Sequence, residues 1–455
     1  MPEVFNASVE GSEGRGDYLR FDPAQIGSIQ ADFGAGDDVV EVVGSTPQVR
    51  LTFTSAQVGN GDPNDGNTMA NQDGGLAVRF QREDAAGNLT GSVSRFDDEG
   101  ISFISNGITR FDVRDLVSGV GRGQDFQVVR LGTSGVDFYN EGASVRNTYI
   151  NAGMGDDRIQ TGAGDDFLVG GGGNDRLRGE QGDDSFIGGG GDDIIFGGSG
   201  NDTAIFNVST DGADQTDLGG GNDTVNVSAA AGVTQVRLTF TSAEVGNGRP
   251  RDAGTLANQD GGFAVRVQAE DADGDLTGTT GRFDDEIISF VAGAGLTFDV
   301  RDLVSGVQRG DQFQVATLGG SGADTIDETG ETRSYYINAG AGNDRITGGS
   351  ADDFLVGGAG TDRLTGGEGD DTHIGGGGAD TFIFAGRPGD DEILDFMSGT
   401  DKIDLRSYGL DFDDLTITMT GSDARIGVDT SGNGVPDFFI QLSNTMAPQE
   451  SDFLL

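Results

Sequence analysis

The sequence predicts an all-β protein in which two solenoids of short stacked repeats alternate with two β-sandwich-like modules. The chain contains a large unit that occurs twice, since FDVRDLVSGV at 111–120 recurs at 298–307 and DFLVGG at 166–171 recurs at 353–358. Each copy of the unit ends in a run of nine-residue repeats. No helix-length amphipathic pattern occurs anywhere in the chain. The duplication sets the order of the parts, and the nine-residue period sets the fold of the solenoids.

The nine-residue repeats (nonads) carry the strongest pattern in the sequence. Six contiguous nonads fill 152–205 and five fill 339–383. Their first four positions are rich in Gly, the sixth is always Asp, and the eighth is apolar with one exception. Clustered Gly permits a tight turn with inward-facing carbonyls, and the last three residues make a minimal strand. One nonad cannot bury its single apolar side chain, so the nonads are expected to stack.

The sixth-position aspartates are the candidate metal ligands. Stacking brings their carboxylates into register, where like charges repel unless a cation lies between them. Oxygen ligands on flexible loops, without nitrogen or sulfur donors, favour Ca²⁺ over zinc or copper. The predicted ligands are Asp157, Asp166, Asp175, Asp184, Asp193 and Asp202 in the first run, and Asp344, Asp353, Asp362, Asp371 and Asp380 in the second.

The nonads resemble the calcium-binding G-G-x-G-x-D-x-U-x repeats of the RTX (repeats-in-toxin) proteins. The resemblance implies two parallel β-rolls in which two nonads make one turn of about 18 residues. It also implies that calcium lies between loops stacked one turn apart, held by the sixth-position Asp and backbone carbonyls. About four ions in the first roll and three in the second, about seven in all, are then expected.

One nonad position and the C-terminal region depart from the repeat. His373 stands at an eighth position, where the first copy has Phe186, and a packed ring is expected there rather than a ligand. Residues 381–405 resemble the cap that follows RTX repeats in serralysin-like secreted proteins, matching at Phe382, Phe384 and Phe396 among others. The last residues, ESDFLL, resemble the uncleaved C-terminal signals of type I export.

The segment DTSGNGVPD at 429–437 offers a second kind of calcium loop. Asp429, Ser431, Asn433 and Asp437 stand at positions one, three, five and nine of such a loop. The bidentate Glu that completes an EF-hand is missing. A calcium site and a plain polar turn between two strands both remain open.

The duplicated modules, residues 49–150 and 236–338, are predicted to be short antiparallel strands in a β-sandwich-like arrangement. Apolar segments such as VRLTF and DFQVVRL alternate with Gly, Asn and Asp, a pattern typical of strands and turns. The acidic trios 97–99 and 284–286 invite a carboxylate acid/base role on a glycan. Adjacent residues of a strand point to opposite faces, so a solvated turn or a calcium site is the favoured interpretation.

Composition narrows the classes of function. The formal net charge is −48, with 76 acidic against 28 basic residues, which disfavours binding to nucleic acid or acidic membranes. The absence of Cys excludes disulfides and Cys-based zinc sites, and one His makes a histidine-based triad improbable. No apolar run is long enough for a transmembrane segment. We expect no cleavable N-terminal secretory signal, because the start of the chain has neither a basic region nor an apolar core.

Together these features predict a secreted, calcium-binding extracellular protein with seven segments. A surface, matrix or adhesion component is favoured, with an extracellular glycan or cell surface as partner and type I export machinery as its route. The alternative is a secreted hydrolase or lyase acting on polysaccharide, although a non-enzymatic role is favoured. The predicted segments are an N-terminal β segment (1–48), module copy 1 (49–150), β-roll 1 (151–206), a connector (207–235), module copy 2 (236–338), β-roll 2 (339–385) and a C-terminal cap with export signal (386–455).

Overall fold

The fold is seen in a computed structural model of the chain. Strands dominate it, and the helices among the described residues are two three-residue 3-10 helices, Phe412–Asp414 and Glu450–Asp452. The all-β prediction is therefore confirmed. The described residues are 7–10, 18–24, 29–43, 48–55, 76–84, 88–105, 109–115, 125–242, 263–271, 275–285, 287–302, 312–445 and 447–455.

The first half of the described chain contains module copy 1 and β-roll 1. Most strands of the roll are three to seven residues long, as expected where each nonad supplies one short strand. In order, the strands are β1 (Ala7–Glu10), β2 (Tyr18–Phe21), β3 (Ile29–Val42), β4 (Gln48–Ser55), β5 (Leu76–Glu83), β6 (Leu89–Ser105), β7 (Arg110–Asp115), β8 (Asp125–Phe126), β9 (Val128–Leu131), β10 (Phe138–Asn140), β11 (Thr148–Met154), β12 (Arg158–Gln160), β13 (Phe167–Gly172), β14 (Arg176–Gln181), β15 (Ser185–Gly190), β16 (Ile194–Ser199), β17 (Thr203–Asn207), β18 (Gln215–Gly220) and β19 (Asp223–Ser228).

The second half repeats this order and adds the C-terminal region. Its strands are β20 (Gln235–Ser242), β21 (Phe263–Glu270), β22 (Leu276–Asp285), β23 (Ile288–Ala292), β24 (Thr297–Asp302), β25 (Gln312–Phe313), β26 (Val315–Leu318), β27 (Thr325–Asp327), β28 (Tyr335–Asn338), β29 (Ala341–Gly342), β30 (Arg345–Thr347), β31 (Phe354–Gly360), β32 (Arg363–Thr365), β33 (Thr372–Gly378), β34 (Thr381–Ile383), β35 (Asp391–Ile393), β36 (Lys402–Asp404), β37 (Leu415–Thr420), β38 (Asp423–Val428), β39 (Phe438–Leu442) and β40 (Phe453–Leu454). The chain divides into two compact units. One consists of residues 1–206 with 210–218, and the other of residues 207–209 with 219–455. The division into seven segments stays a prediction.

Roll 1 consists of two stacks of parallel strands, one on each side of the solenoid. In one stack Tyr149 pairs with Phe167, Phe167 with Ser185, and Ser185 with Thr203, so each partner lies two nonads further along the chain. The other stack joins β10, β12, β14 and β16 with the same spacing between its nonad strands. Two nonads therefore make one turn, and the parallel β-roll prediction is confirmed.

Glycine at the second and fourth nonad positions makes this stacking possible. Gly171 and Gly173 adopt φ values of +110° and +128°, a region that L side chains rarely occupy. A Cβ on either residue would lie 1.9 Å from the carbonyl oxygen of the glycine one turn earlier. At these two residues a side chain would therefore prevent the turns from lying this close.

Roll 2 has the same two stacks and continues into the C-terminal region. Tyr336, Phe354 and Thr372 pair in sequence at intervals of two nonads. The next partner of Thr372 is Glu392 rather than Asp390, so the last turn contains a two-residue insertion. Strands β35 and β39 extend one stack, while β36 and β40 extend the other. The antiparallel strands β37 and β38 follow β39 at the end of the first of these stacks.

The two modules have the same strand pairing, as their duplication predicts. In copy 2, β20 pairs antiparallel with β21 and parallel with β24, and β21 pairs antiparallel with β22. Copy 1 shows these pairings among β4, β5, β6 and β7. One further strand of each module joins a stack of parallel strands, since β26 pairs with β28 and β9 pairs with β11. Each module therefore extends a sheet of the roll that follows it.

A buried ion network ties three strands of each module together. The Arg237 guanidinium contacts the carboxylates of Glu270 and Asp299, with 3.2 Å between its Nε and Asp299 Oδ2. Arg301 contacts the same Asp299 oxygen at 2.8 Å. Copy 1 has the equivalent network of Arg50, Glu83, Asp112 and Arg114. Because the carboxylates are buried, these arginines neutralise charge that would otherwise oppose folding.

Candidate metal centre

All eleven sixth-position aspartates lie inside the rolls. Each is at most 3% exposed, because the minimal strand turns its sixth and eighth side chains to the same interior face. The Oδ1 atom of each accepts a hydrogen bond from the backbone N–H of the equivalent residue one turn earlier, over 2.6–2.9 Å. The carboxylates thus form continuous ladders along the solenoid axis. The sequence pattern predicted this register.

The second oxygen of most ladder carboxylates has no hydrogen-bond partner. A buried acceptor without a partner is costly, and a buried charged one more so. Such an atom points to a ligand that the protein itself does not supply. Buried Oδ2 atoms without a partner include those of Asp157, Asp175, Asp184, Asp193, Asp344, Asp362 and Asp371.

First-position glycines leave a space beside these unpartnered oxygens. A Cβ on Gly170 would lie 2.3 Å from Asp175 Oδ2 and 2.7 Å from the carbonyl oxygen of Gly188, one turn later. The carboxylate oxygen and the carbonyl oxygen therefore face the same small space. Gly179, Gly188, Gly357, Gly366 and Gly375 have the same relation to the sixth-position Asp of their own nonads.

The donor set of this space suits calcium. It consists of carboxylate and carbonyl oxygens on glycine-rich loops, which are the ligands and the flexibility that Ca²⁺ prefers. A bound divalent cation would neutralise the ladder charges and hold them ionised. The residues that would hold it are the eleven predicted aspartates with the carbonyls of the stacked glycines, and their role as ligands stays a prediction.

Burial and mutual repulsion strongly raise the pKa values of the ladder carboxyl groups. Burial raises the pKa of Asp184 to about 9, and the charges of Asp166 and Asp202 add to the rise. The pKa of Asp371 rises to about 9 from burial, with added repulsion from Asp391 and Asp353. Both residues are the central carboxylates of three stacked ones. In the absence of metal, the folded ladders therefore favour protonated carboxyl groups.

The metal-free protein is expected to lose stability as the pH rises. In the folded state the pKa values of these carboxyl groups are about 6 to 9, above the unfolded value of about 3.8. The folded state therefore binds more protons than the unfolded state. The stability that this gives near pH 4 is lost as the pH rises through about 6 to 9. Thermal melts of calcium-depleted protein at pH 5 and pH 8 check this. With saturating calcium the trend should weaken or reverse, because metal binding displaces these protons. A higher melting temperature at pH 8 in the depleted protein would contradict the expectation.

Glycine substitution offers a test of the space beside the carboxylates. Gly188→Ala would place a methyl group 2.4 Å from Asp193 Oδ2, whereas Gly190→Ala, in the same nonad, meets nothing within 4 Å. We expect Gly188→Ala to lower the stability of the calcium-loaded protein by about 1–3 kcal/mol and to weaken calcium binding. Gly190→Ala should leave both unchanged. Calcium titration and thermal melts of the two variants measure the difference, and equal effects would argue against a functional space at the first position.

Three further aspartates, which the sequence pattern alone did not reveal, also belong to the ladders. Each carboxylate accepts a hydrogen bond from the backbone amide of a ladder aspartate one turn earlier. The pairs, acceptor first, are Asp214 with Asp193, Asp391 with Asp371, and Asp401 with Asp380. Their partners lie 20 or 21 residues earlier rather than the usual two nonads, because short insertions shift the phase of nine. A repeat search that tolerates insertions of two or three residues would have found them.

A second ladder runs along the outside of the rolls. Fifth-position side chains accept the amide of the following turn, as Asp165 does from Asp183 and Asp183 from Asn201. This direction is opposite to that of the buried ladder. These fifth-position side chains are exposed and hydrogen-bonded. They therefore stabilise the stacking of turns without burying an oxygen that lacks a partner, as the sixth-position carboxylates do.

The other predicted sites fall outside this centre. In the 429–437 loop, Asp429 accepts hydrogen bonds from the amides of Asn433 and Gly434, while Asp437 accepts them from the Thr430 hydroxyl and the Ser431 amide. Both carboxylates thus stabilise the loop itself, and the two alternatives for it stay open. The trios at 97–99 and 284–286 have side chains outside the described residues, so a catalytic role for them stays a prediction.

His373 is a buried ring, as expected from its eighth position. It is 1% exposed, and its ring meets those of Phe382 and Phe384 edge-on, with centroids 6.0 Å apart in each pair. Burial lowers the pKa of His373 to about 4, so the ring is neutral at physiological pH. Neither ring nitrogen has a hydrogen-bond partner.

Parallel strands stacked every second nonad, with a buried aspartate in each nonad, define the calcium-type β-roll. The family model of the RTX calcium-binding nonapeptide repeat (4 copies) matches residues 146–177, 169–204, 336–364, 347–382 and 357–393. The chain therefore carries RTX calcium-binding nonapeptide repeats in both rolls.

Comparison with whole proteins adds little to this. No curated protein matches the chain significantly. Among solved structures, the extracellular lipase LipA from Serratia marcescens aligns with 21% identity over 68% of this chain and 40% of its own, at a TM-score of 0.17. The aligned part thus spans less than half of the lipase, and nothing about activity follows from it. Among the described residues, no helix has the length and apolar character needed to cross a membrane.

Proposed function

We propose that this chain is a secreted calcium-binding protein whose two rolls fold when they meet calcium outside the cell. The observation that carries the proposal is the row of buried aspartates whose second oxygens have no partner. Without a cation, these groups oppose folding through burial and repulsion. With calcium bound, the free energy of metal binding becomes free energy of folding.

The same carboxylates would keep the chain unfolded before export. Intracellular free calcium lies far below the about 10⁻⁴–10⁻³ M affinities typical of extracellular modules. Open rolls suit passage through type I export machinery, and the ESDFLL terminus is the proposed signal. Outside the cell, about seven calcium ions, about four in roll 1 and three in roll 2, would fill the ladders.

We propose a surface, matrix or adhesion role for the folded protein, with an extracellular glycan or cell surface as partner. Two copies of one module, at 49–150 and 236–338, suit repeated binding or spacing. The described interior of module copy 1 contains packed aromatic side chains such as Phe80, Phe96 and Phe103 among aliphatic ones. This supports a structural use of the modules rather than a buried reaction site.

A calcium titration followed by far-UV circular dichroism tests the proposal. We expect a cooperative rise in β signal with a midpoint in the range of about 10⁻⁴–10⁻³ M. Magnesium at the same concentrations is the control, since it demands octahedral geometry and gives up water reluctantly. A spectrum that is fully folded at submicromolar calcium would contradict folding outside the cell. Equal folding with magnesium would contradict a calcium-specific ladder.

A further inference from the structure

A group of mixed nitrogen and oxygen donors lies in the last turn of roll 2. One ring nitrogen of His373 and one carboxylate oxygen each of Asp371 and Asp391 lie within 4.8 Å of one another. All three residues are buried, with at most 2% of their surface exposed. Asp371 immediately precedes the strand that contains His373, and the two side chains share a face because they are two residues apart. The Oδ1 atom of Asp391 accepts a hydrogen bond from the backbone amide of Asp371, which stacks the two carboxylates.

The unmet hydrogen bonds of this group point to a ligand. Both ring nitrogens of His373 and the Oδ2 atom of Asp371 are buried without partners. A neutral imidazole always carries one donor and one acceptor, and an interior of phenylalanine rings satisfies neither. The eighth-position neighbours of His373 on the adjoining strands are Leu355 and Ile393, which offer apolar contacts alone.

We propose that Asp371, His373 and Asp391 form a site for a divalent transition-metal ion of the zinc class, which shares Asp371 with the calcium ladder and differs from it in its imidazole ligand. Imidazole nitrogen suits zinc, whereas calcium takes oxygen ligands. Bonds of about 2.0–2.2 Å join zinc to nitrogen and carboxylate oxygen, so binding draws together donor atoms that lie within 4.8 Å of one another. Asp391 enters the site through the two-residue insertion before β35, which restores the ladder in the final turn.

The first copy of the unit supplies a natural contrast. Its equivalent position is Phe186, two residues after Asp184, whose backbone amide donates a hydrogen bond to the carboxylate of Asp202. The carboxylate pair is thus common to both rolls, and the imidazole is particular to roll 2. Zinc binding should therefore depend on residue 373 and not on acidity in general.

The full chain at saturating calcium is the sample for the test, and Zn²⁺ is the probe. His373 is the sole histidine of the chain, so ¹⁵N NMR of histidine-labelled protein reports one ring without ambiguity. We expect one zinc per chain by calorimetry and a metal-bound shift at one ring nitrogen. An unchanged ring spectrum at saturating Zn²⁺ overturns the proposal without any variant.

Two substitutions test which residue is responsible. His373→Phe copies the residue of roll 1, so it should keep the calcium-induced dichroism and lose the stoichiometric zinc. Phe186→His should add a second zinc by placing an imidazole two residues after Asp184, in the turn where Asp184 and Asp202 stack. Undiminished zinc binding by His373→Phe overturns the proposal, as does a folded Phe186→His variant that still binds a single zinc.

Discussion

Chelation of calcium is expected to unfold both rolls and to remove most of the β signal of the protein. A single site occupied at one hundred times its dissociation constant stabilises the folded state by about 2.7 kcal/mol. Several such sites together exceed the total stability of a typical domain, about 5–15 kcal/mol. Far-UV circular dichroism and differential scanning calorimetry, with millimolar calcium or excess chelator, measure the loss. The transition assigned to the rolls should disappear with chelator and return when calcium is restored.

The modules provide an internal control for this experiment. Their cores and ion networks contain none of the stacked aspartates, so any β signal that resists the chelator should come from them. A protein whose whole signal and melting curve ignore chelation would contradict the proposed role of the ladders. Irreversible loss after chelation would instead indicate aggregation of the unfolded rolls, which light scattering detects.

Sequence periodicity predicted the part of the fold that depends on local repetition. A phase of nine predicted that the nonads stack and that their sixth-position Asp residues come into register, as they do in the ladders. The resemblance to RTX repeats added that two nonads make one turn. The pattern did not identify Asp214, Asp391 and Asp401 as ladder members. Insertions of two or three residues interrupt the nine-residue period there, although the turns remain stacked. Strict periodicity therefore identifies ladder members up to the first insertion.

Long-range partners could not be inferred from the same pattern. The network of Arg237 joins Glu270 and Asp299, which lie 33 and 62 residues away. Nothing local in the sequence links three residues on β20, β21 and β24. The pattern of the modules likewise does not reveal that β26 continues a sheet of roll 2, since alternation identifies a strand but not its neighbour.

Substitution of a central ladder carboxylate is expected to stabilise the metal-free protein and to weaken calcium binding. Asp184→Asn keeps the Oδ1 acceptor for the Asp166 amide and removes the charge. Without metal, the neutral side chain should stabilise roll 1 by roughly 1–3 kcal/mol, because it replaces a buried oxygen without a partner. With calcium, the loss of a charged ligand should weaken binding at least about tenfold, which is about 1.4 kcal/mol for a site.

The neighbouring outer position supplies the matched control. Asp183→Asn removes the same charge one residue away, on the exposed ladder, and keeps the acceptor for the Asn201 amide. It should change neither the metal-free melting temperature nor the calcium midpoint appreciably, since an exposed charge is screened. If both variants shift stability alike, net charge and not the buried ladder governs folding. A crossing of the Asp184→Asn and wild-type stabilities as calcium is added, absent from Asp183→Asn, would locate the coupling between metal and folding in the sixth-position carboxylate.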